Sequence, residues 1–311
     1  MAPTPPILAL VGPTASGKTD AAIELARAFG AEVVSVDSML VYRGMDVGTA
    51  KPTRAQRAVV PHHLIDLAEP SESFSVARYQ ALGREALEGI GARDGRALLA
   101  GGSGLYFRAI VDDLEFPGTD AGTRGELEAE ASVVGAASLY RRLADTDPVA
   151  AAKIEPENVR RTIRALEVAA LTGRPFSSYG EAWTRYPPDR VRAAGVRLPA
   201  DVLRARIGER VREMQEAGFI EEVRGLLARG FGAWLTSTQA IGYAEFAAHL
   251  GGRLSLDEAL ERTVSRTRQL ARRQMAWFRR DPRIRWFDAG AGGALDLVDE
   301  MRVYLGAAEP A

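Results

Sequence analysis

Short apolar runs alternate with helical patterns along the first third of the chain. Residues 7–11, 32–36 and 96–100 are mainly apolar and short enough to be buried strands. Residues 75–90 repeat apolar positions at helical spacing, and residues 64–67 predict a further short strand. Alternating strands, loops and helices predict an α/β fold, and the GxxxxGKT spacing of residues 12–19 after the first strand makes it P-loop NTPase-like. Its parallel sheet would be flanked by helices, with ligands at the carboxyl ends of the strands.

The pattern changes after Pro117. Residues 124–172 are rich in Ala, Leu, Glu and Arg at helical spacing and carry no strand signal. We therefore predict an all-helical insertion domain over residues 116–190, within an α/β core made of residues 1–115 and 191–311. One strand and four helices should complete that core, at residues 191–198 and at residues 201–217, 220–228, 238–250 and 256–280.

Composition excludes several kinds of site. The 311 residues include 46% hydrophobic positions, enough for a large core, and no cysteine, which excludes disulfides, thiolate catalysis and cysteine-bound zinc. No apolar run is long enough to span a membrane, and residues 1–6 lack the charged and apolar segments of a signal peptide. We therefore expect a cytoplasmic monomer with no membrane partner.

Residues 12–19 match the P-loop pattern, in which the second glycine is followed by lysine and a hydroxyl residue. A predicted strand precedes the loop and a predicted helix follows it, which is the required context. Backbone N–H groups of such a loop surround an anion, the lysine reaches phosphate oxygens and the hydroxyl holds Mg²⁺. We predict a di- or triphosphate site with Thr19 as a metal ligand. It comprises Gly12, Pro13, Thr14, Ala15, Ser16, Gly17, Lys18 and Thr19.

Two further segments should reach the P-loop at the sheet edge. Asp37 directly follows the second predicted strand. It could hold Mg²⁺ together with Thr19, act as a general base for an acceptor above the phosphates, or cap helix N–H groups. Residues 101–104, Gly-Gly-Ser-Gly, form a second tight strand-to-helix turn that could offer Ser103 to a substrate.

Basic residues cluster although the formal net charge is only −1. Residues 266–285 contain eight arginines and one acid, interleaved with aromatic residues. A second cluster, Arg160, Arg161 and Arg164, lies in the predicted insertion. Each could be a solvated helix face, but two separate basic surfaces favour a long polyanion such as RNA. For His62 and His63 we predict hydrogen bonding in a loop rather than metal binding.

Several motifs coincide in this one chain. Together they closely resemble the bacterial tRNA dimethylallyltransferases, the isopentenyl-diphosphate:tRNA transferase family. The resemblance extends from Val11 to about Trp286 and is specific as a combination. Its motifs are GPTASGKT (12–19), SVDS (35–38), YRGMDVGTAKP (42–52), HHLID (62–66), GGSGLY (101–106), RALE (164–167), QAIGY (239–243) and TRQLARRQ (267–274).

The resemblance implies a prenyl transfer. A dimethylallyl group would pass from dimethylallyl diphosphate to N6 of the adenosine immediately 3′ of the anticodon, in tRNAs that read codons beginning with U. It also implies Mg²⁺ and an insertion domain that clasps the anticodon stem-loop. The P-loop would then grip a departing diphosphate and would not transfer a phosphoryl group.

The resemblance also assigns residues. Lys18 and Thr19 become the chief groups on the diphosphate, Arg210 lies near them, and Asp37 is the general base. Ser103 stands where the family usually has threonine. The stretches matched to tRNA contact are Asp37, Ser38, Met39, Leu40, Ser103, Arg124, Arg160, Arg161, Thr162, Ile163, Arg164, Gln239, Ala240, Ile241, Gly242, Tyr243 and Ala244.

Three alternatives belong to other functional classes. A small-metabolite or nucleotide kinase could use the same P-loop sheet, but the arginines of the insertion and of residues 266–285 would then have no use. A prenyltransferase acting on free adenine nucleotides would not need a basic insertion. An RNA-binding ATPase switch would bind RNA in a nucleotide-dependent way and leave the adenosine unmodified.

Overall fold

A computed structural model describes residues 7–112 and 114–306. It forms two compact units: one contains the described residues up to Val111 and from Pro187 onward, and the other runs from Asp112 to Tyr186. The second unit begins at Asp112, a few residues before the predicted start at residue 116, and ends at Tyr186, a few residues before the predicted end at residue 190.

A six-stranded parallel sheet forms the centre of the first unit and confirms the predicted fold class. Its strand order is β3-β2-β4-β1-β5-β6. Its central strands appear as apolar runs because helices cover a parallel sheet on both faces. The six strands are β1 (Ile7–Val11), β2 (Ala31–Val36), β3 (His62–His63), β4 (Arg96–Gly101), β5 (Val191–Arg197) and β6 (Ile284–Asp288).

Helices flank this sheet. The apolar face of the first helix packs with strand residues such as Leu10, Leu98 and Val196 in one buried cluster. The helices of the unit are α1 (Lys18–Phe29), α2 (Arg54–Val59), α3 (Val76–Gly91), α4 (Gly104–Val111), α9 (Ala200–Glu216), α10 (Phe219–Ala228), α11 (Tyr243–Leu250), α12 (Leu256–Phe278) and α13 (Val298–Gly306).

Strand register brings three chain segments to one edge of the sheet. Val11 at the end of β1 pairs with Gly101 at the end of β4, which also pairs with Val36 at the end of β2. The segments that follow these strands are the P-loop, Asp37 and the turn after Gly101. They therefore lie at the carboxyl edge, where ligands of such sheets bind.

Two predicted elements were wrong. The short strand is His62–His63, not residues 64–67, because the chain turns at Leu64 and Asp66, whose φ angles are +62° and +57°. The helix predicted over residues 238–250 begins only at Tyr243, after a single 3₁₀ turn and Gly242 with φ +95°. Both histidines form hydrogen bonds as predicted, but on a strand: His62 with the Val60 carbonyl and His63 with Glu32.

The second unit is helical, with its own core. Leu127, Leu139, Leu143, Ile163 and Leu166 form most of that core. Its α-helices are α5 (Ala121–Val134), α6 (Ala136–Thr146), α7 (Pro148–Ala151) and α8 (Val159–Thr172). Among the residues that the structure describes, no helix in either unit has the length and hydropathy to cross a membrane.

Candidate active site

The P-loop joins β1 to α1 and presents unused hydrogen-bond donors. Gly17, which immediately precedes α1, has φ +80°, and Ala15 also adopts a left-handed conformation with φ +61°. Successive backbone N–H groups of the loop therefore turn toward one side. Within residues 7–112 and 114–306, the N–H groups of residues 15–17 donate to no other group. A ring of open donors at a helix N-terminus is a binding site for an anion.

Lys18 lies in this loop without a carboxylate partner. Its ammonium donates to the Pro13 carbonyl and, at 3.2 Å, to the Ser16 hydroxyl, and it forms no ion pair in the described part of the chain. Burial, followed by repulsion from Arg210, lowers the pKa of Lys18 to about 7, although Asp37 opposes the shift. An anion bound here would stabilise the charged ammonium.

Two arginines of α9 face the same loop. Burial lowers the pKa of Arg210, while Asp37 and Glu213 raise it, and no ion pair ties its guanidinium among the described residues. Arg206, one helical turn earlier, donates from Nε to the Ala15 carbonyl at 2.9 Å. Arg206 therefore supports the P-loop, and Arg210 remains a cation for a ligand. The sequence prediction missed Arg206, although its helical spacing from Arg210 pointed to it.

Asp37 lines the same cavity as the P-loop. Its Oδ1 accepts a hydrogen bond from the Met39 N–H at 2.8 Å, so one oxygen orders the following turn. The other oxygen has no partner in the described structure. No helix directly follows Asp37, so it does not cap helix N–H groups as one reading of the sequence suggested; one oxygen orders a turn and the other is available to a substrate. Leu40 also lines the cavity, whereas Ser38 and Met39 do not.

Gln274, which was not among the predicted site residues, holds the P-loop at Thr14. Its Oε1 accepts a hydrogen bond from the Thr14 N–H at 2.8 Å, which connects α12 to the loop. Ser103 accepts a weak hydrogen bond from the Tyr106 N–H at 3.4 Å and does not line the cavity. In this structure Ser103 therefore caps α4, and Gly101 and Gly102 are the residues of the 101–104 turn that line the cavity.

The cavity has a volume of about 870 Å³ and is lined by both polar and apolar residues. The P-loop, Asp37 and Arg210 share its polar lining with other charged side chains: Asp20, Asp46, Lys51, Arg54, Arg57, Arg206, Glu209 and Glu213. The aliphatic and small residues that line it include Val33, Leu40, Val47, Ala50, Pro52, Ile65, Met214 and Ala217. Such a site suits a ligand with an anionic head and a short hydrocarbon tail.

Protein ligands for a metal are few at this edge. No group of three or more histidine and acidic side chains able to hold a metal occurs among the described residues. The predicted metal ligand Thr19 is exposed. Both Thr19 and Asp37 line the cavity. This is a donor set of the kind that Mg²⁺ uses when substrate phosphates supply its other ligands.

The segment of residues 239–244, predicted to contact tRNA, divides into exposed and buried parts. Gln239 and Ala244 are exposed, whereas the side chains of Ala240 and Tyr243 are buried. The tRNA contact of this segment, including Ala240 and Tyr243, stays a prediction, and the side chains available for it are those of Gln239 and Ala244. Ile241 is half-buried and Gly242 is buried.

The same division occurs in the helical unit. Arg160 and Arg161 are exposed and form no ion pair in the described part of this unit. Thr162 and Ile163 are buried, and the RNA contact expected of them stays a prediction. Arg124 and Arg164 both bind the buried carboxylate of Glu167, at 2.7 and 2.8 Å, so they also hold the unit together.

The α12 helix carries an exposed basic surface. Arg268, Arg272, Arg273, Arg279 and Arg280, with the last two just beyond its end, are exposed and form no ion pair within the described residues. Trp277 is partly exposed on the same helix, and Phe278 is buried. The surface therefore has the charges that would contact a phosphate backbone.

Two family models match the chain. The model described as IPP transferase matches residues 40–281, and the model described as isopentenyl transferase matches residues 5–66. The first match covers well over half of the chain. The chain belongs to the IPP transferase family. This membership confirms the resemblance seen in the sequence.

Curated relatives of the IPP transferase family cover nearly the whole chain. A tRNA dimethylallyltransferase from Kineococcus radiotolerans is 49% identical, over 99% of this chain and 99% of its own. Another, from Streptomyces coelicolor, is 47% identical over 99% and 97%. These relatives are prenyltransferases, so the predicted enzyme class is confirmed and the nucleotide-kinase alternative is not supported.

Solved structures in the IPP transferase family share the fold. A tRNA isopentenylpyrophosphate transferase from Bacillus halodurans is 40% identical, with a TM-score of 0.70 over 97% of this chain and 96% of its own. A eukaryotic dimethylallyltransferase acting on tRNA is 25% identical, with a TM-score of 0.77 over 94% and 75%.

Proposed function

We propose that this chain transfers a dimethylallyl group from dimethylallyl diphosphate to N6 of the adenosine immediately 3′ of the anticodon, in tRNAs that read codons beginning with U. Diphosphate is released. One observation carries the proposal: in a chain of this family, open P-loop amides share a cavity with Asp37 and with two cations, Lys18 and Arg210, that form no ion pair among the described residues.

The P-loop end of the cavity would hold the diphosphate. Transfer breaks the bond between the allylic carbon and the bridging oxygen, so negative charge grows on the departing diphosphate. The amides of residues 15–17, Lys18 and Arg210 are donors and cations already aimed at that charge. Removing a preorganised donor of this kind costs about 10²–10³-fold in rate.

The family resemblance implies Mg²⁺, and the donor set fits it. The Thr19 hydroxyl could provide a protein ligand, and phosphate oxygens and water would provide the others, so the second oxygen of Asp37 stays available to the substrate. When bound, the ion would neutralise part of the diphosphate charge.

Asp37 would act on the nucleophile. The lone pair of the adenine amine is spread into the ring, so the amine attacks poorly unaided. As the N6–carbon bond forms, the N6 proton passes to the Asp37 oxygen that has no protein partner. General base catalysis contributes about 10²–10⁴-fold.

RNA binding would have to offset the cost of extracting the base. Turning a stacked base into a pocket costs a few kcal/mol. The exposed arginines of α12 and of α8 can supply phosphate contacts for that purpose. We propose that the helical unit contacts the anticodon stem-loop, that the enzyme acts as a monomer, and that it works in the cytoplasm, where tRNA is found.

Product analysis tests this proposal. The protein is incubated with labelled dimethylallyl diphosphate, Mg²⁺ and an unmodified anticodon stem-loop, and the RNA is digested to nucleosides. We expect label on the adenosine 3′ of the anticodon and one diphosphate released per label. ATP with the same RNA is the control. Transfer of the ATP γ-phosphate in place of prenylation would refute the proposal.

A further inference from the structure

The loop of residues 46–52, the DVGTAKP motif, forms one wall of the cavity but supplies no reacting group. Asp46, Val47, Thr49, Ala50, Lys51 and Pro52 all line the cavity. Residues 42–52 form no strand and no α-helix. A loop of this kind needs anchors from elsewhere if its apolar side chains are to present a fixed surface.

Glu222 of α10 provides the first anchor. Its Oε2 accepts hydrogen bonds from the N–H groups of Asp46, at 2.7 Å, and Val47, at 2.8 Å, and its Oε1 accepts one from Gly48 at 3.1 Å. Three consecutive amides converge on one carboxylate, as they do on anions bound in backbone nests. Both oxygens are therefore needed to satisfy the turn.

Buried aromatic rings hold that carboxylate in place. The Tyr243 hydroxyl donates to Glu222 Oε1 at 2.6 Å, and burial, followed by the Glu222 charge, raises the pKa of this hydroxyl. The Tyr243 ring packs edge-on against Phe219, with centroids 4.9 Å apart. A Cβ atom at Gly48 would lie only 2.2 Å from the Phe219 ring, so only glycine allows the loop to approach these rings.

Lys51 provides the second anchor, at the other end of the loop. Its ammonium donates to the Tyr42 carbonyl and to Asp66 Oδ1, each at 2.6 Å, and pairs with Asp46 Oδ1 at 2.6 Å. The side chain is 1% exposed. The loop is therefore held at both ends, and Val47 and Ala50 line the cavity between them.

We propose that Glu222, oriented by Tyr243, is a positioning residue for the prenyl donor. It holds the loop of residues 46–52 so that Val47, Ala50 and Pro52 bound the hydrocarbon end of the cavity and limit the length of the allylic chain. The inference rests on the proposed prenyl transfer. Glu222 touches neither reacting atom in this account; it acts through the loop backbone.

Glu222→Gln tests this role because it retains the size of the side chain but offers one acceptor oxygen to three amides. A hydrogen bond to a charged group contributes enough that its loss corresponds to about tenfold or more in an equilibrium constant. We expect the KM for dimethylallyl diphosphate to rise about tenfold, with kcat and the KM for RNA within about twofold of wild type. The rate with geranyl diphosphate relative to dimethylallyl diphosphate should increase.

Two other variants sharpen the result. Tyr243→Phe keeps the ring and removes only the hydroxyl, so the same changes should occur at about threefold. Glu221→Gln is the matched control, because this neighbouring exposed carboxylate pairs with Arg224 and does not contact the loop. It should leave both KM values and the donor selectivity unchanged.

Hydrogen exchange of the free protein separates failure of this inference from failure of the proposed function. In Glu222→Gln, the amides of Asp46, Val47 and Gly48 should exchange faster than in wild type, whatever reaction the enzyme catalyses. An inactive wild type would refute the proposed function and leave this exchange result standing. A folded, active Glu222→Gln variant with unchanged exchange, donor KM and selectivity would overturn the inference.

Discussion

Two lysines line the same cavity, one in the P-loop and one in the loop of residues 46–52, and the structure treats them in opposite ways. Lys51 is almost fully buried and is satisfied by two carboxylates and a carbonyl. Lys18 pairs with no carboxylate in the described chain, and burial and Arg210 lower its pKa to about 7.

We infer from this difference that Lys51 stabilises the fold and that Lys18 is available to bind a ligand. A buried charge with all its partners present is a structural anchor, and loss of one member leaves the others uncompensated. A cation held without a partner is a cost to the free protein that an anion can relieve. The same distinction applies to arginines: Arg164 binds buried Glu167, whereas Arg161 on the same helix is exposed and forms no ion pair in the described structure.

Replacing Lys51 should give the largest effect, and it should act on stability. Lys51→Met leaves Asp66 and Asp46 without their shared cation, but both carboxylates are partly exposed and Asp66 keeps Arg57. The cost should therefore lie at the lower end of that for a broken buried ion pair, about 3 kcal/mol. We expect chemical denaturation to show a loss of this size. Lys153→Met, at an exposed lysine of the helical unit, is the control. A stability loss no larger than that of the control would show that Lys51 is not a structural anchor.

Replacing Lys18 should give the converse result. Lys18→Met removes a cation on the departing diphosphate, so kcat/KM should fall about 10²–10³-fold. Stability at pH 7 should not fall. The low pKa of Lys18 means that the charged form is disfavoured in the folded state, a cost that is full below pH 7 and fades as the pH rises toward 10.5. Steady-state kinetics and denaturation of the same preparation measure both. A variant that loses stability along with activity would show that Lys18 is also a structural anchor.

Diphosphate binding should be linked to protonation of Lys18. Above pH 7 much of the free Lys18 is neutral, and a bound anion should raise its pKa again, so binding should take up protons. Calorimetry of inorganic pyrophosphate at pH 8, in buffers of different ionisation enthalpy, should show an uptake of up to about one proton per site. The same titration of the Lys18→Met variant measures the protons that pyrophosphate itself gains or loses on binding. Equal uptake by the variant and wild type would contradict the assignment.

The smallest effects should come from the arginines of α8. Arg161→Ala should weaken stem-loop RNA binding by a few-fold and reduce its salt dependence by about one ion, with stability unchanged. Arg164→Ala should instead destabilise the helical unit by about 1–3 kcal/mol, because Glu167 keeps its burial and loses a partner. RNA titration at several salt concentrations and thermal unfolding distinguish the two. Equal losses of RNA affinity and of stability in the two variants would show that the ion pair with Glu167 does not distinguish Arg164 from Arg161.

The sequence predicted the centre of the sheet better than its edges. Central strands such as β1 and β4 are buried on both faces and therefore appear as continuous apolar runs. The edge strand β3 consists of two histidines, and the opposite edge strand β6 alternates buried residues with exposed Arg285 and Asp288. Neither carries an apolar run, so the sequence prediction missed both.

The site shows the same limit. The P-loop and Asp37 could be found because their chemistry lies in a local pattern. Gln274 and Glu222 could not, because their partners, Thr14 and the amides of residues 46–48, are more than a hundred residues away in sequence. Tyr243 lies in a recognised motif, but the motif alone does not show that its side chain is buried and donates a hydrogen bond to Glu222.

Asp37→Asn tests the central claim most directly, because it retains the shape of the side chain and removes the base. Single-turnover prenylation of the stem-loop and its binding affinity are measured on the same variant. We predict that the rate falls about 10²–10⁴-fold while RNA affinity stays within about twofold of wild type. A large loss of RNA affinity with the rate of the chemical step intact would contradict the account.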